Sequence, residues 1–422
     1  MISQLTTKQT RRLGDTVLIF SQVFVPDPAS VGQHIADVAF ELVRRGYKVR
    51  VYTSDRGYDD PTIRYPRQEM LNGVDVRRMP YSSFGKKTIF TRVLGTASFM
   101  IQATFRGLFM QNLAGVLFST SPPLIGIVAT IVRMFRGVPL VYWAMDLNPD
   151  QLIAMGKISS HGLIARFLQT INRMILQNAT LVVALDRFMV QRLYLSRAKL
   201  KDKLVIIPPW PHEQAIDPIE HADNPFRERL KLDGKFVVMY SGNHSPSNPL
   251  KTLLEAAVRM KDDPEVRFFF VGGGIGKKEV EQYIAQHNLT NVISLPYQPL
   301  ADLRFSLSAA DVHVVSLGDD MVGIIHPCKV YGAMAVARPI LYFGPKPSHI
   351  SDLLESHQFG MHVSHGDVEG AIGAVRQLQS ASDEQRRAMG QTAQRVLESK
   401  LSQSILCNRM CDGLDVVFAN PD

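Results

Sequence analysis

The sequence predicts an α/β protein built from two Rossmann-like lobes, whose parallel sheets face each other across a central cleft. The chain has 422 residues, which is long for one core and enough for two domains of ~150–200 residues. Short apolar runs alternate with helical patterns in both halves, and this alternation favours right-handed βαβ crossovers. A stretch rich in proline and charge, residues 208–224, separates the two halves and is typical of a linker.

The first half begins with a β-rich run at residues 16–21 (TVLIFS), followed by a loop at residues 25–33 (VPDPASVGQ). A helix is predicted over residues 34–45, and Gly46 ends it as a C′ glycine does. Further strands of this half are predicted at residues 49–53, 74–79, 114–119, 139–143, 181–184 and 204–207.

The second half restarts the same pattern at residues 236–241 (FVVMYS). Its other strands are predicted at residues 267–271, 292–295, 312–316, 339–343 and 360–363. We assign residues 1–210 to an N-terminal Rossmann-like lobe, 211–224 to a linker and 225–400 to a C-terminal Rossmann-like lobe. Residues 401–422 are predicted to form a helix that packs back on the N-terminal lobe.

The composition indicates which cellular compartment and which classes of binding partner to expect. The three cysteines match neither a disulfide framework nor a zinc-site spacing, which favours a reducing, cytoplasmic location. The N-terminus lacks the apolar core of a signal peptide. The net charge of +8 fits anionic lipid and a phosphorylated substrate. We expect no nucleic-acid partner, because no module of interleaved aromatic and basic residues is present.

The most hydrophobic region, residues 93–135, is interrupted by charged residues and prolines, so we predict no transmembrane segment. Within it, residues 86–110 are basic at the start and apolar over much of their length. This segment fits an interfacial helix that meets anionic lipid on the inner face of the plasma membrane. It equally fits a helix buried in the core of the first lobe.

Two motifs of the first half carry candidate chemistry. In the loop at residues 26–33, Ser30 and Gly32 precede a helix, where backbone amides favour phosphate oxygens, although Ser30 could simply cap the helix. Asp146 and Asp150 follow a buried-looking strand within residues 143–150 (WAMDLNPD). A carboxylate there could accept a proton from an acceptor hydroxyl, although both acids could instead stabilise a turn.

Three motifs of the second half suggest phosphate binding. Residues 240–249 (YSGNHSPSNP) and 271–278 (VGGGIGKK) each follow a strand, where glycines let a backbone approach a ligand. The first could be a plain turn, and the lysines of the second could simply be solvated. Lys329 follows residues 323–328 in the first turn of a predicted helix, where the helix dipole disfavours a cation unless an anion lies nearby. A tolerated surface lysine is the alternative.

Taken together, these motifs resemble the retaining GT-B glycosyltransferases of family 4, in particular the subgroup that builds bacterial surface polysaccharides and lipid-linked oligosaccharides. The likeness covers nearly the whole chain. Its most specific block is residues 326–335 (HPCKVYGAMA) followed by Arg338-Pro339. It also includes residues 28–33 (PASVGQ), 146–150 (DLNPD), 240–243 (YSGN), 271–274 (VGGG), 295–297 (LPY) and 309–311 (AAD).

The resemblance implies transfer of a sugar from a nucleotide-sugar, with a UDP-sugar favoured, to a glycan or polyprenyl-linked acceptor with retention. It implies no cofactor and no obligatory metal. Asp146 is the candidate catalytic residue, and Ser30, Gln33 and Asp150 are candidates for acceptor binding. The candidate donor-binding residues are Gly32, Asn243, His244, Gly273, Lys277, Ile325, His326 and Lys329.

The sequence departs from the family pattern at four positions. Ile324 and Gly332 occupy positions where many members carry glutamates, and Asn243 and Asn248 replace an arginine and a lysine. We expect His244, Lys277 and Lys329 to substitute in binding the diphosphate. Two alternatives stay open: a catalytically silent sugar-nucleotide-binding partner in a polysaccharide assembly complex, and a nucleotide-sugar 2-epimerase.

Overall fold

The computed structural model describes residues 15–57, 60–84, 89–196, 198–212 and 217–419, which form two compact units. The first unit comprises Met1–Pro209, Gly323–Ile325 and Gln403–Asp422, within the described ranges. The second comprises Trp210–Val322 and His326–Ser402. No helix in the described ranges combines the length and the hydropathy that a membrane span requires.

Strands are numbered in chain order. Those of the first half are β1 (Thr16–Phe20), β2 (Lys48–Ser54), β3 (Gln68–Leu71), β4 (Val74–Met79), β5 (Leu113–Phe118), β6 (Leu140–Trp143), β7 (Leu181–Ala184) and β8 (Leu204–Ile206). Those of the second half are β9 (Phe236–Ser241), β10 (Val266–Val271), β11 (Val292–Leu295), β12 (Val312–Ser316), β13 (Ile340–Phe343) and β14 (Gly360–Val363).

Helices are numbered in the same way. The first are α1 (Ser30–Arg44), α2 (Ile89–Leu108), α3 (Ile125–Arg136), α4 (Asp150–Ala154), α5 (Leu163–Asn178), α6 (Arg187–Leu195), α7 (Pro225–Arg229) and α8 (Lys251–Arg259). The remainder are α9 (Lys277–His287), α10 (Leu303–Ser308), α11 (Lys329–Ala335), α12 (His349–His357), α13 (Val368–Ser380), α14 (Asp383–Val396) and α15 (Gln403–Ala419).

The sheet of the first unit has the order β3-β4-β2-β1-β5-β6-β7-β8. Every pairing is parallel except β3 with β4, which form an antiparallel hairpin at the edge. Helices cover both faces. Gly107 of α2 faces Phe20 of β1, whereas Gly115 of β5 faces Phe418 of α15. Gly115 pairs in register with Val17, and side chains three residues apart on a strand point to opposite faces.

The second unit is a fully parallel sheet with the order β11-β10-β9-β12-β13-β14. Side chains of one parity along β9 and β10, such as Val238 and Phe268, join a core with α8 and α13. Side chains of the other parity, such as Met239 and Phe269, join a second core on the opposite face. Burial on both faces explains why these strands are continuous apolar runs. The predicted fold class of two parallel α/β units is confirmed.

Three sequence expectations need correction. The edge strand β3 was not predicted, and α1 begins at Ser30 instead of residue 34. The described part of the predicted linker, residues 211–224, belongs to the second unit. It is held there because the Ile219 amide donates to Ser308 Oγ at 3.1 Å and Asn224 Nδ2 donates to the Phe305 carbonyl at 2.9 Å.

The C-terminal helix α15 packs against α1 within the first unit. Arg45, which directly follows α1, makes the polar part of this contact. Its Nη1 donates to Asp412 at 2.8 Å and to Asp415 at 2.7 Å, while its Nε donates to Glu41 at 2.9 Å. The Arg45 side chain is only 19% exposed, so these carboxylates share one poorly hydrated cation.

We expect Arg45→Ala to lower the free energy of unfolding of the first unit by about 1–2 kcal/mol, because it leaves three carboxylates without their shared cation. Arg44→Ala is the matched control, since Arg44 is 73% exposed and pairs with Glu41 on the same helix. It should cost below about 0.5 kcal/mol. Urea unfolding of both variants measures the difference, and equal losses would contradict the role given to Arg45.

Candidate functional site

The loops after β9 and β10 pack backbone against backbone in the second unit. The Gly242 amide donates to the Val271 carbonyl, and the Gly272 amide donates to Leu295, each at 2.9 Å. A Cβ at Gly272 would lie 2.1 Å from the Gly242 carbonyl oxygen, and Gly272 has a φ of 130°. The glycines of residues 271–274 therefore allow one loop to approach the other, and not only a ligand to approach the backbone as predicted from the sequence.

His244 lies inside this double loop with its imidazole buried. Its amide donates to Gly273 at 2.7 Å and its carbonyl accepts from Gly276 at 3.0 Å. The ring contacts Tyr240, with 5.1 Å between the ring centroids, and neither ring nitrogen has a hydrogen-bond partner among the described residues. Burial lowers the pKa of His244, so the ring is held neutral.

Lys277 has a different environment from the one predicted. Its ammonium donates to the carbonyls of Gly272 at 2.8 Å and Leu295 at 2.6 Å. These contacts tie the ends of β10 and β11 together. Because two of its three donors are used in this way, Lys277 acts first as a structural cation of the double loop.

Lys329 is the first residue of α11 and its side chain runs along Gly242. A Cβ at Gly242 would lie 2.4 Å from Lys329 Cε, so only glycine leaves this path open. The ammonium lies 5.4 Å from the centroid of the Tyr240 ring. No carboxylate or hydrogen-bond acceptor of the described residues contacts it. Burial lowers the pKa of Lys329 to about 8, because a desolvated ammonium is unfavourable without an anion.

Of the other predicted donor-binding residues in the second unit, His326 is buried and shares a 2.8 Å hydrogen bond between its Nε2 and the Tyr331 hydroxyl. Asn243 is exposed, and its carbonyl accepts from the Tyr240 hydroxyl at 2.7 Å. Gly273 lies beneath the ring of Tyr297. The structure thus brings Asn243, His244, Gly273 and Lys329 to the carboxyl edge of β9 and β10.

Three tyrosines belong to this edge and were missed by the sequence analysis. Tyr240 contacts both His244 and Lys329, while Tyr331 holds His326. The ring of Tyr297, which is 59% exposed, covers Gly273. Each tyrosine stands inside a quoted motif, so their presence was visible, but nothing in the sequence indicated which neighbours they touch.

In the first unit, Asp146 follows β6 and lines a cavity of about 40 Å³, which has room for a hydroxyl group or a water molecule. No hydrogen-bond donor of the described residues contacts its carboxyl group. Burial raises the pKa of Asp146 to about 6. The buried Ser119 hydroxyl, also without a partner in the described ranges, is on the wall. Other lining residues are Phe118, Pro123, Leu124, Tyr142, Asn148, Asn172 and Ile175.

Asp150 is the first residue of the short helix α4, close to the same strand end. Burial raises the pKa of Asp150, and Arg192 partly opposes that shift. Tyr142 lines the same cavity as Asp146, and its ring stacks on Phe118 with 4.8 Å between the ring centroids. Its phenol pKa is raised by burial and by the charges of Asp146 and Asp150. Both predicted acids are therefore held where ionisation is disfavoured.

The loop at residues 25–33 differs from its prediction. Gly32 lies inside α1, and its amide donates to the Ala29 carbonyl at 2.9 Å, so this amide is not free to bind an anion. A Cβ at Gly32 would lie 3.1 Å from the Phe24 amide, which gives the glycine a packing role. Ser30 is exposed at the start of α1, and Gln33 donates from Nε2 to the Pro28 carbonyl.

Residues 323–325 cluster with the first unit. The Ile324 carbonyl accepts from the Leu147 amide at 3.0 Å, and Ile324 is buried. The predicted donor residue Ile325 therefore belongs, by packing, with the strand end that carries Asp146. Gly332 is the other position at which the family pattern has a glutamate. A Cβ at Gly332 would contact only Leu307, at 3.7 Å, so the packing around it does not require a glycine.

The two units offer different kinds of binding group. The second unit offers a half-buried cation, Lys329, whose pKa is lowered by burial and which has no anion of the described residues beside it. The first unit offers a carboxyl group with a pKa near neutrality at a cavity of hydroxyl size. These are the properties of an anion site and of a hydrogen-bond acceptor or base, respectively.

Two family models match the chain, and together they span most of it. The glycosyl transferase 4-like domain matches residues 30–210, and the glycosyl transferases group 1 model matches residues 222–396. These spans follow the two compact units.

Two relatives have similar sequences. The probable glycosyltransferase WbjE of Pseudomonas aeruginosa is 26% identical over 292 residues, covering 69% of this chain and 71% of the relative. The putative colanic acid biosynthesis glycosyl transferase WcaI of Escherichia coli K12 is 23% identical over 381 residues, covering 86% and 91%.

Solved structures show the same fold at low identity. Sucrose-phosphate synthase from Thermosynechococcus elongatus superposes with a TM-score of 0.75 at 16% identity, covering 96% of this chain and 99% of that one. Anabaena HepE, solved with UDP, has a TM-score of 0.69 at 16% identity, covering 95% and 99%. HepE has also been solved with UDP-glucose.

The loop-on-loop contact can be tested by substitution. We expect Gly272→Ala to lower the stability of the second unit by about 2–4 kcal/mol, because the methyl group meets the Gly242 carbonyl at an unfavourable φ. Gly373→Ala is the control: Gly373 lies within α13 and a Cβ there meets nothing within 4 Å. It should stabilise by about 0.5–1 kcal/mol. Hydrogen exchange of the β9 and β10 amides measures both, and an unaltered Gly272→Ala variant would refute the packing argument.

Proposed function

The chain belongs to the two-domain GT-B glycosyltransferases of family 4, and from this premise we propose that it transfers a hexosyl residue from a UDP-sugar. The acceptor in this proposal is a glycan or a polyprenyl-linked glycan of surface polysaccharide biosynthesis. Transfer proceeds with retention and needs no cofactor or metal. The colanic acid assignment of WcaI and the UDP complexes of HepE support the choice of pathway and donor.

A single observation carries the donor half of this proposal: the Lys329 ammonium is half-buried without an anionic partner among the described residues. A diphosphate would supply the missing charge and restore the lysine pKa towards its ordinary value. Asn243 and Asn248 stand where related enzymes carry cations, so Lys329 takes over that electrostatic role. Tyr240, packed under the ammonium, holds it in place before the donor arrives.

The proposed reaction breaks the bond between the sugar C1 and the oxygen of the β-phosphate. Negative charge then develops on the leaving diphosphate, where a preorganised cation stabilises it more than it stabilises the ground state. The acceptor hydroxyl forms the new bond to C1, and its proton leaves on the departing phosphate. Asp146 accepts a hydrogen bond from that hydroxyl and orients it for the attack.

The acceptor half rests on the Asp146 cavity, which has the size of a hydroxyl group and a carboxyl group at its wall. The proposal also includes attachment to a membrane surface on its cytoplasmic side, where a polyprenyl-linked acceptor would be presented. The predicted interfacial segment at residues 86–110 supports this, with residues 86–88 outside the described ranges.

Substitution of Lys329 tests the donor site directly. We expect Lys329→Ala to weaken UDP binding about 10–100-fold, the loss typical of one charge-assisted contact. Lys278→Ala is the control, because Lys278 is exposed and removes the same charge nearby. Calorimetric titration with UDP, GDP, ADP and dTDP measures affinity and selectivity. Equal affinity of wild type and Lys329→Ala would exclude Lys329 from the donor site.

The pH dependence of the same titration is a sharper readout. Since the free enzyme has a Lys329 pKa of about 8, raising the pH above 8 removes the proton that the bound diphosphate needs. UDP affinity should therefore fall above pH 8, by up to about tenfold for each pH unit, until the pKa of the bound state is reached. Lys329→Arg keeps its charge and should not show this fall. A parallel fall in both proteins would point to another group.

Asp146 has its own test. We expect Asp146→Asn to lower kcat about 100-fold, because the amide no longer orients the acceptor hydroxyl for attack, while UDP affinity changes less than about twofold. Wild-type activity should fall below about pH 6 as the carboxylate is protonated, and the variant should lack this limb. Asp150→Asn, at the same strand end, should mainly raise KM for the acceptor.

UDP release from a panel of UDP-sugars with polyprenyl-diphosphate-linked sugars measures these constants. Donor binding without turnover by wild type would favour a silent binding partner over a transferase. An unchanged kcat in Asp146→Asn would remove Asp146 from the reaction. Proton NMR of the product distinguishes retention from inversion at C1.

A further inference from the structure

Helix α2 is apolar on two opposite sides. Phe99 and Ala103 are buried on the side that faces the sheet. Ile101 and Phe105 each follow two residues later, about 200° around the helix axis, and are 59% and 60% exposed. The sequence left open whether this helix is buried or interfacial, and the structure gives it one buried face and one exposed apolar face. An exposed apolar stripe along a helix of twenty residues is unusual for a surface in water.

The stripe continues on the two neighbouring helices. Helix α3 packs beside α2, and α5 packs beside α3. Phe135 near the end of α3, and Leu163 and Phe167 at the start of α5, are among the most exposed large apolar side chains of the described residues. We define the α2–α3–α5 face by its exposed apolar side chains, of which six carry the argument: Phe90, Ile101, Phe105, Phe135, Leu163 and Phe167.

The charge around this face has one sign. The three helices contain six arginines and no acidic residue. Arg92, Arg166 and Arg173 are exposed, and no carboxylate of the described residues lies against them. Residues 76–201 contain 16 lysines and arginines but only three acidic residues. None of the three acids, Asp146, Asp150 and Asp186, belongs to these helices.

We propose that the α2–α3–α5 face docks on an anionic lipid bilayer, with its aromatic and aliphatic side chains in the headgroup region and its arginines against lipid phosphates. Apolar side chains with basic and no acidic neighbours are complementary to such a surface on both counts. A second copy of this chain is a poor occupant, because two equally basic faces would repel each other.

The α2–α3–α5 face also borders the Asp146 cavity. The link between docking and the acceptor rests on the proposed function, whereas docking itself does not. Leu124 at the start of α3 and Asn172 of α5 line the cavity. A chain docked through these helices would hold the cavity close to the lipid headgroups. The acceptor sugar would then reach Asp146 while its polyprenyl chain stays in the bilayer.

The experiment measures partition of the full chain onto vesicles by sedimentation, in the absence of nucleotide. Vesicles of neutral phosphatidylcholine are compared with vesicles containing 30% phosphatidylglycerol, a composition chosen at roughly the anionic fraction needed for electrostatic docking. We expect at least tenfold tighter binding to the anionic vesicles, and a loss of that preference as salt is raised. Equal binding to both, or none, would overturn the proposal.

Two sets of variants locate the surface. Phe105→Ser, Phe135→Ser and Phe167→Ser combined should weaken anionic-vesicle binding at least tenfold. Leu300→Ser with Ile275→Ser, which are 84% and 74% exposed in the second unit, should change it less than about twofold. Because all five positions are exposed, the substitutions should leave the fold intact. Equal losses in both sets would show that the face is not the docking surface.

The arginines of the face are tested with a matched control set in the same way. Arg92→Gln, Arg166→Gln and Arg173→Gln combined should reduce binding at least tenfold, whereas Lys261→Gln, Lys278→Gln and Arg376→Gln combined remove the same net charge from exposed positions of the second unit. A similar effect of the two sets would mean a response to net charge alone and would contradict a defined face.

Two further measurements distinguish lipid docking from dimerisation and from the donor proposal. Analytical ultracentrifugation that finds a dimer, dissociated by the phenylalanine variants, would assign the face to a second copy and overturn the lipid proposal. UDP titration of each variant should give a Kd within twofold of wild type. If wild type fails to bind UDP but partitions as expected, the donor proposal fails and the docking surface stands.

Discussion

The arrangement of the second unit depends on one electrostatic constraint, the placement of an ammonium group where water reaches it poorly and no carboxylate of the described residues compensates its charge. Lys329 can occupy this place only because Gly242 lacks a side chain and Tyr240 offers a π face. Gly242 in turn is fixed by the backbone contacts with Gly272. A packing requirement between two loops thus sets the position of the charge, and the lowered pKa of Lys329 reflects the resulting desolvation.

The fold was largely predictable because its strands are parallel and buried on both faces, which makes them short, continuous apolar runs. The strands at residues 74–79, 181–184 and 236–241 have the predicted bounds. The edge strand β3 was missed because QEML lacks an apolar pattern, yet Asn72-Gly73 between β3 and β4 was a usable hairpin signal. The start of α1 was mispredicted because its N-cap is Ala29, which makes no side-chain capping hydrogen bond, whereas Ser30 lies inside the helix.

The site was predictable at the level of loops but not of individual contacts. Motifs at residues 240–249 and 271–278 do meet at one sheet edge, as parallel strand ends must. The sequence could not show that the Lys277 ammonium donates to the Gly272 and Leu295 carbonyls, or that Gly32 lies inside a helix. Both depend on distant backbone groups whose positions follow from the tertiary fold, so residue type and spacing alone overstate the number of free donors.

Two features of the free chain are costly in water, and they are of opposite kinds. The second unit keeps a desolvated cation, whereas the first exposes apolar side chains along α2, α3 and α5. Neither feature stabilises its own unit, since Lys329 contacts no carboxylate among the described residues and the exposed stripe of α2 faces away from the sheet. A diphosphate would relieve the first cost and a lipid surface the second. The cost retained by the free protein would then be recovered on binding of the proposed donor and on docking of the proposed face.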